Sequence, residues 1–291
     1  LQPFLEAAIA GRPTTSSEWE RYLVAFHNEH PDANELFTFL RTGAKLTSYQ
    51  VLARTIQGPG KNILDLGCGD GNFVDGFANA ADDIRITGVD VAQSELAIAR
   101  RRHADDHRVR FDQEDARNLP YAEAAFDIVV AHQFLNFMSE PVQVLHEAAR
   151  VLRHDGRLLI VANRGWTKDR DVNWIFLDNA ARAVVKELYP QFAWPAMGDR
   201  RIYSEPGILD IFAECPDYDV ETLTIAEFVP GAFMTPEQVA AMYNRLYIYG
   251  SLPDRAPILR AVENRARELS DVRNVVEVEL PFRLVNVVRK K

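Results

Sequence analysis

A chain of 291 residues, 47% apolar and 26% charged, is long enough to bury one large core and has the composition of a soluble globular protein. Its net charge of −9 works against a nucleic-acid surface, which needs a positive field. No run approaches the ~18 apolar residues of a membrane span, Leu1 to Ser17 has no secretory-signal pattern, and the two cysteines, Cys68 and Cys215, make no disulfide framework, which suits a reducing cytoplasm.

The spacing predicts three zones: an N-terminal helical cap over 1–57, an alternating core over 58–163 and a C-terminal part, 164–291, that completes the core and carries inserted cap segments. In the first zone Trp19, Tyr22, Leu23 and Phe26 share one helix face, which reads first as core packing. Leu46, Tyr49, Val51, Leu52 and Ile56 suggest a second helix ended by Gly58-Pro59-Gly60. His27 and His30 have a ligand-like spacing but no third partner, and read as a solvated or capped pair, not a metal site.

From residue 61 the pattern alternates. Ile63 to Leu66, Ile84 to Val89, Val109 to Phe111, Phe126 to Ala131 and Arg157 to Ala162 read as strands. Helices are expected over Asn72 to Ala80, Ser94 to His103 with Ser94 as N-cap, and Pro141 to Leu152, opened by its proline. His154-Asp155-Gly156 reads as a turn, and Arg100-Arg101-Arg102 as a solvated helix end favoured by the dipole. Strands separated by helices imply a doubly wound parallel sheet.

Beyond it, 164–206 is irregular and rich in aromatics, including Trp166, Trp174, Phe176 and Trp194. Gly207 to Ala213 looks helical and Asp219 to Phe228 alternates as a strand. Pro236 to Leu269 is helical with interruptions at Gly250, Pro253 and Pro257. Val275 to Val288 is strand, divided by Pro281, and its last piece is expected to enter the sheet edge antiparallel to Asp219–Phe228.

The chemistry concentrates in Ile63-Leu64-Asp65-Leu66-Gly67-Cys68-Gly69-Asp70-Gly71-Asn72. A buried strand runs into alternating glycines, whose backbone can turn sharply and approach a ligand, and then into a helix start with free N–H groups. The dinucleotide fingerprint asks for a third glycine where Asn72 stands, and Asp65 would repel a pyrophosphate while suiting a cationic ligand.

The segment resembles the first motif, D-x-G-x-G-x-G, of the class I S-adenosylmethionine-dependent methyltransferases: Asp65, Gly67, Gly69 and Gly71 match it. The likeness continues in order through Gly88-Val89-Asp90-Val91, Gln113-Glu114-Asp115-Ala116, Phe126 to His132 and Leu152 to Ile160, where His154-Asp155 replaces a usual proline–glycine pair. It covers 61–163 and implies a Rossmann-like α/β fold. It also implies that Asp65, Gly67, Cys68, Gly69, Asp90, Val91, Asp115, Ala116 and His132 hold the cofactor S-adenosylmethionine. In this family the acid at Asp90 binds the ribose hydroxyls, a charge-assisted clamp, and the acid at Asp115 faces the adenine amino group, with the Ala116 N–H on the ring.

Cys68 reads as a small neighbour of the ligand, not a nucleophile, since nothing nearby lowers its pKa. His132 contacts the cofactor or serves as a base. The acceptor is expected to be a small organic molecule at the strand ends, covered by the N-terminal helices and by 165–203 and 229–269. Two other readings stand beside this one: a relative that binds the cofactor without transferring methyl, and an NAD-dependent oxidoreductase, which Asn72 and Asp65 disfavour.

Overall fold

The computed structural model describes residues 1–31, 33–56, 61–77, 83–165, 172–195 and 197–291. Its centre is a mixed sheet whose strands, in chain order, are β1 (Asn62–Leu66), β2 (Arg85–Asp90), β3 (Val109–Gln113), β4 (Phe126–His132), β5 (Leu152–Asn163), β6 (Tyr218–Phe228) and β9 (Phe282–Arg289). A separate pair, β7 (Gly231–Met234) and β8 (Val276–Glu279), lies outside it. The spatial order of the main sheet is β3-β2-β1-β4-β5-β9-β6, with the first five strands parallel and β9 antiparallel to both β5 and β6. The sequence reverses direction between β1 and β4, where doubly wound sheets open a crevice at their strand ends.

Burial explains the strand pattern. Every residue of β4 is buried, as expected of a central parallel strand covered on both faces. One face is covered by α6 (Pro141–Val151) and α8 (Glu205–Ala213), the other by α2 (Ser16–Glu29), α4 (Ser48–Arg54), α5 (Gln93–Arg102), α7 (Val172–Leu188), α9 (Pro236–Tyr243) and α11 (Arg255–Leu269). Short helices α1 (Gln2–Ile9), α3 (Leu36–Phe39) and α10 (Tyr247–Ser251) pack at the rim. Each fully buried large apolar side chain contributes about 1.5–3 kcal/mol, and Trp19, Tyr22 and Phe26 make α2 part of the core. Thr15 and Glu18 close a reciprocal capping box at the start of α2, as Thr47 and Gln50 do for α4.

The structure departs from the sequence reading in several places. Over its described part the helix expected at Asn72–Ala80 is a single 3₁₀ turn, Val74–Phe77; residues 78–80, like Gly58-Pro59-Gly60 and Trp166, lie outside the described residues. Helix α5 begins at Gln93, so Ser94 is not its cap; its hydroxyl instead donates to the His27 carbonyl and to Asn28 Oδ1. The predicted turn at His154-Asp155-Gly156 is a bulge inside β5, with Asp155 at φ 61° and β5 advancing five residues while β4 advances two.

Arg100, Arg101 and Arg102 are exposed in the last turn of α5, as expected, and two of them also make internal bonds. Arg100 donates to the Phe111 carbonyl, and Arg102 reaches back to Asp70, Asn72 and Asp75. The irregular zone contains the 17-residue α7. Pro281 does divide the last strand region, but β9 lies between β5 and β6, not at the edge, and β8 pairs with β7 elsewhere. Pro257 sits in the first turn of α11, where its missing N–H costs nothing.

Candidate functional site

The first glycine, Gly67, leaves β1 at φ 66°, and Gly69 follows at φ 52°. A Cβ on Gly67 would fall 2.4 Å from the Phe134 ring, and one on Gly69 would fall 2.9 Å from the Asn34 amide nitrogen, so both the conformation and the space demand glycine. The loop is tied down by its own backbone: Cys68 N donates to the Val89 carbonyl at 3.0 Å and Gly71 N to the Cys68 carbonyl at 3.0 Å. Asn72 donates to Asp70, and Arg102 bonds both, which holds the far side of the loop.

Asp90 closes β2 beside this loop. Its Oδ2 accepts from Gly69 N at 2.9 Å and its Oδ1 from Ala92 N at 2.9 Å, so the carboxylate is oriented by backbone donors before any ligand arrives. Asp65 lies in register with Gly88 on one side and Val130 on the other. It is buried, and among the described residues no hydrogen-bond donor reaches its carboxylate. Burial, with Asp90 close by, pushes its pKa well above the ordinary carboxylate range. An acid in that state is satisfied by a cation.

All nine residues that the sequence singled out line one cavity at the carboxyl ends of β1, β2 and β4. Their surroundings differ from expectation in two places. Asp115 is engaged by its neighbour: Arg117 donates to both carboxylate oxygens, and this holds the Asp115 pKa below the usual range. Arg117 in turn bonds Glu20 of α2 at 2.8 Å, and Glu20 accepts from Ser139 N at 3.1 Å and from its hydroxyl. His132 stacks on the Tyr49 ring at 4.0 Å, and its Nε2 shares a 2.8 Å hydrogen bond with Ser48 Oγ. Burial lowers its pKa to about 3, so the imidazole is neutral throughout the physiological range. Cys68 is buried and its thiol is pushed up, again by burial first, which leaves it inert as a nucleophile.

The other wall comes from the N-terminal helices and 229–269, segments expected to cover the strand ends, but its individual residues were not singled out from sequence. It consists of Glu20, Leu23, Val24 and His27 of α2, then Asn34 and Phe37, with Tyr247 from α10. Tyr22 donates to the Tyr247 carbonyl, and the Tyr247 hydroxyl lies 3.3 Å from His27 Nε2, so α2 and α10 form one cover. His27 is thus no solvated histidine: its Nδ1 is 2.7 Å from Glu95 Oε1. Among the described residues no cluster of three metal-ligating side chains exists. The expected covering role of 165–203 falls away for its described residues, none of which reaches the cavity; α7 packs on α11 instead.

These parts define a Rossmann-like domain with a pocket at its strand ends. Residues 64–160 match the family described as methyltransferase domain. The 27-O-demethylrifamycin SV methyltransferase of Amycolatopsis mediterranei is 40% identical over 104 residues, 35% of this chain and 38% of that protein. The methyltransferase GfsG of Streptomyces halstedii is 34% identical over 161 residues, 54% of each. The chain therefore spans between about a third and about half of the length of these relatives. Among solved structures, the YcgJ protein from Bacillus subtilis has the same fold, with a TM-score of 0.54 at 17% identity, covering 84% of this chain and 98% of that one.

The likeness to a methyltransferase domain covers the Rossmann-like core, residues 64–160, about a third of the chain. The residues around the cavity fit S-adenosylmethionine: the Asp65 carboxylate lines it and suits a cationic ligand.

Proposed function

We propose that this chain transfers a methyl group from S-adenosylmethionine to a small, largely apolar organic acceptor enclosed between the strand ends and the α2–α10 cover. The observation that carries the reading is the joining of two walls in one cavity. One holds Asp65, the glycine loop with Phe134 against it, and Asp90; the other presents Leu23, Val24, Phe37 and Tyr247, and Tyr49 and Phe137 also line the cavity. The aromatic side chains of the lining suit an organic scaffold, and Glu20, His27, Asn34 and Gln133 stand among them as polar groups. The O-methylating relative named for 27-O-demethylrifamycin SV supports an acceptor of that kind, with an oxygen as the methylated atom.

When bound, S-adenosylmethionine supplies an electrophilic methyl group on a sulfonium sulfur. The chain's own work is alignment and exclusion of water. Asp90 would receive ribose hydroxyls, Asp65 would stand opposite the positive charge, and Ala116 N–H and the Asp115–Arg117 pair would border the adenine. Val91, 40% exposed, would offer it an apolar edge. His132, neutral and held by Ser48, orients the acceptor through hydrogen bonding. An imidazole whose pKa is about 3 is too weak a base to remove a hydroxyl proton efficiently.

The decisive experiment is a complex with S-adenosylhomocysteine followed by a methyl-transfer assay over hydroxylated aromatic and polyketide-like acceptors. Product from at least one apolar acceptor is the expected result. Cofactor binding without transfer to any acceptor would favour a non-methylating relative, and an open basic cleft in the complex would rule out an enclosed acceptor.

A further inference from the structure

Glu95 lies in the first turn of α5 and its side chain is only 1% exposed. Its Oε1 is taken by the cover: His27 Nδ1 lies 2.7 Å away and Asn34 donates at 3.3 Å. Its Oε2 is buried, and among the described residues no donor reaches it. A buried carboxylate oxygen left unpaired is costly, and native structures rarely keep one without a purpose.

Its position indicates the purpose. Oε2 would be 3.7 Å from a Cβ built on Gly69, the residue whose N–H donates to Asp90 Oδ2. Two carboxylates thus converge on Gly69 at the cavity wall, Asp90 from the end of β2 and Glu95 from α5. Both Asp90 oxygens already accept backbone amides, so each has reduced capacity for a further donor. A ribose placed at Asp90 carries two adjacent hydroxyl donors, and Glu95, which lines the same cavity, keeps one oxygen without a partner among the described residues.

We propose that Glu95 is a second ribose-binding carboxylate, taking one sugar hydroxyl on Oε2 while Oε1 holds the cover through His27 and Asn34. The inference rests on the S-adenosylmethionine reading above. It makes seating of the cover and recognition of the sugar functions of one side chain.

Calorimetric titration of S-adenosylhomocysteine and 5′-methylthioadenosine into the wild-type chain and Glu95→Gln tests it. The second ligand keeps the ribose and lacks the amino-acid end. The substitution is expected to weaken both ligands by the same factor, about tenfold. Loss for S-adenosylhomocysteine alone would overturn the proposal by placing Glu95 at the amino-acid end. Unchanged binding of both would overturn it by leaving Glu95 a role in the cover only.

The 2′-deoxy and 3′-deoxy forms of methylthioadenosine, titrated into wild type and Glu95→Gln, identify the hydroxyl that Glu95 takes. One of the two is expected to lose several-fold affinity on wild type and little more on the substitution; an equal further loss for both deoxy forms on Glu95→Gln would overturn the proposal by leaving both hydroxyls to Asp90. Wild-type protein that binds none of these ligands would instead remove the cofactor reading itself.

Discussion

The two walls of the cavity are held in different ways. The strand-end wall is fixed by backbone: parallel register places Asp65 against Gly88 and Val130, and main-chain donors orient Asp90. The cover is fixed by side chains reaching between distant elements: Glu20 to Arg117 and Ser139, His27 to Glu95, Tyr22 to Tyr247. A wall built on a sheet is preorganised for its ligand, whereas a cover joined by a few polar links can open and reclose. The difference teaches that cofactor affinity should reside in the first wall and acceptor handling in the second.

Substitutions in the two walls should separate accordingly. The largest effect is expected from Gly67→Ala, which forces a left-handed backbone and a clash with Phe134. It should cost about 1–3 kcal/mol in stability and at least tenfold in affinity for S-adenosylhomocysteine, read by melting and calorimetry. Near-normal binding would show that the loop adapts, against the preorganised wall. Glu20→Ala should act on the other wall, releasing Ser139 and one bond of Arg117, whose pairing with Asp115 remains. Here KM for the acceptor should rise several-fold while cofactor affinity changes little; an equal loss of both would merge the two walls into one.

Protonation sharpens the contrast further. Asp65 has a raised pKa in the free protein, so below that value it is neutral and binds a cation poorly. Affinity for S-adenosylmethionine should therefore increase with pH and binding should release a proton, by up to tenfold per pH unit. Calorimetry in buffers of different ionisation enthalpy measures this, and proton uptake would reverse the assignment. Stability of the free chain runs the opposite way. Asp65 and Glu95, the latter raised to about 7 chiefly by burial, contribute stability that is lost as pH rises from their unfolded pKa values through the raised ones. His132 acts oppositely: its stabilising neutral form is lost as pH falls from 6.5 towards about 3.

The smallest effect is expected at His132 itself. His132→Asn should lower kcat less than about tenfold and leave no missing limb in the pH–rate profile near neutrality. Loss of an ascending limb near pH 6–7 would restore it as a base.

How much of this was legible in the sequence follows the same division. The glycine-bearing β1 exit, the acid ending β2 and the apolar run Ile128–Ala131 of the fully buried β4 are local signals, each set by a few adjacent residues, and they placed the first wall. Helix α7 was obscured by aromatics, although Leu177, Ala181 and Val185, all fully buried, recur at helical spacing. The insertion of β9 between β5 and β6 is a matter of sheet order, which no local pattern encodes. Glu20 and Glu95 look like ordinary surface acids of amphipathic helices. Only the fold brings Glu20 to Arg117, 97 positions along, and Glu95 to His27, 68 positions away.

The account depends most directly on whether Asp90 and the loop beside it hold an adenosyl ligand. Calorimetric titration of the purified chain with S-adenosylmethionine, beside NAD, decides it. One cofactor per chain, no heat from NAD, and loss of binding in Asp90→Ala is the predicted result; binding of NAD in place of S-adenosylmethionine, or of neither, would contradict it.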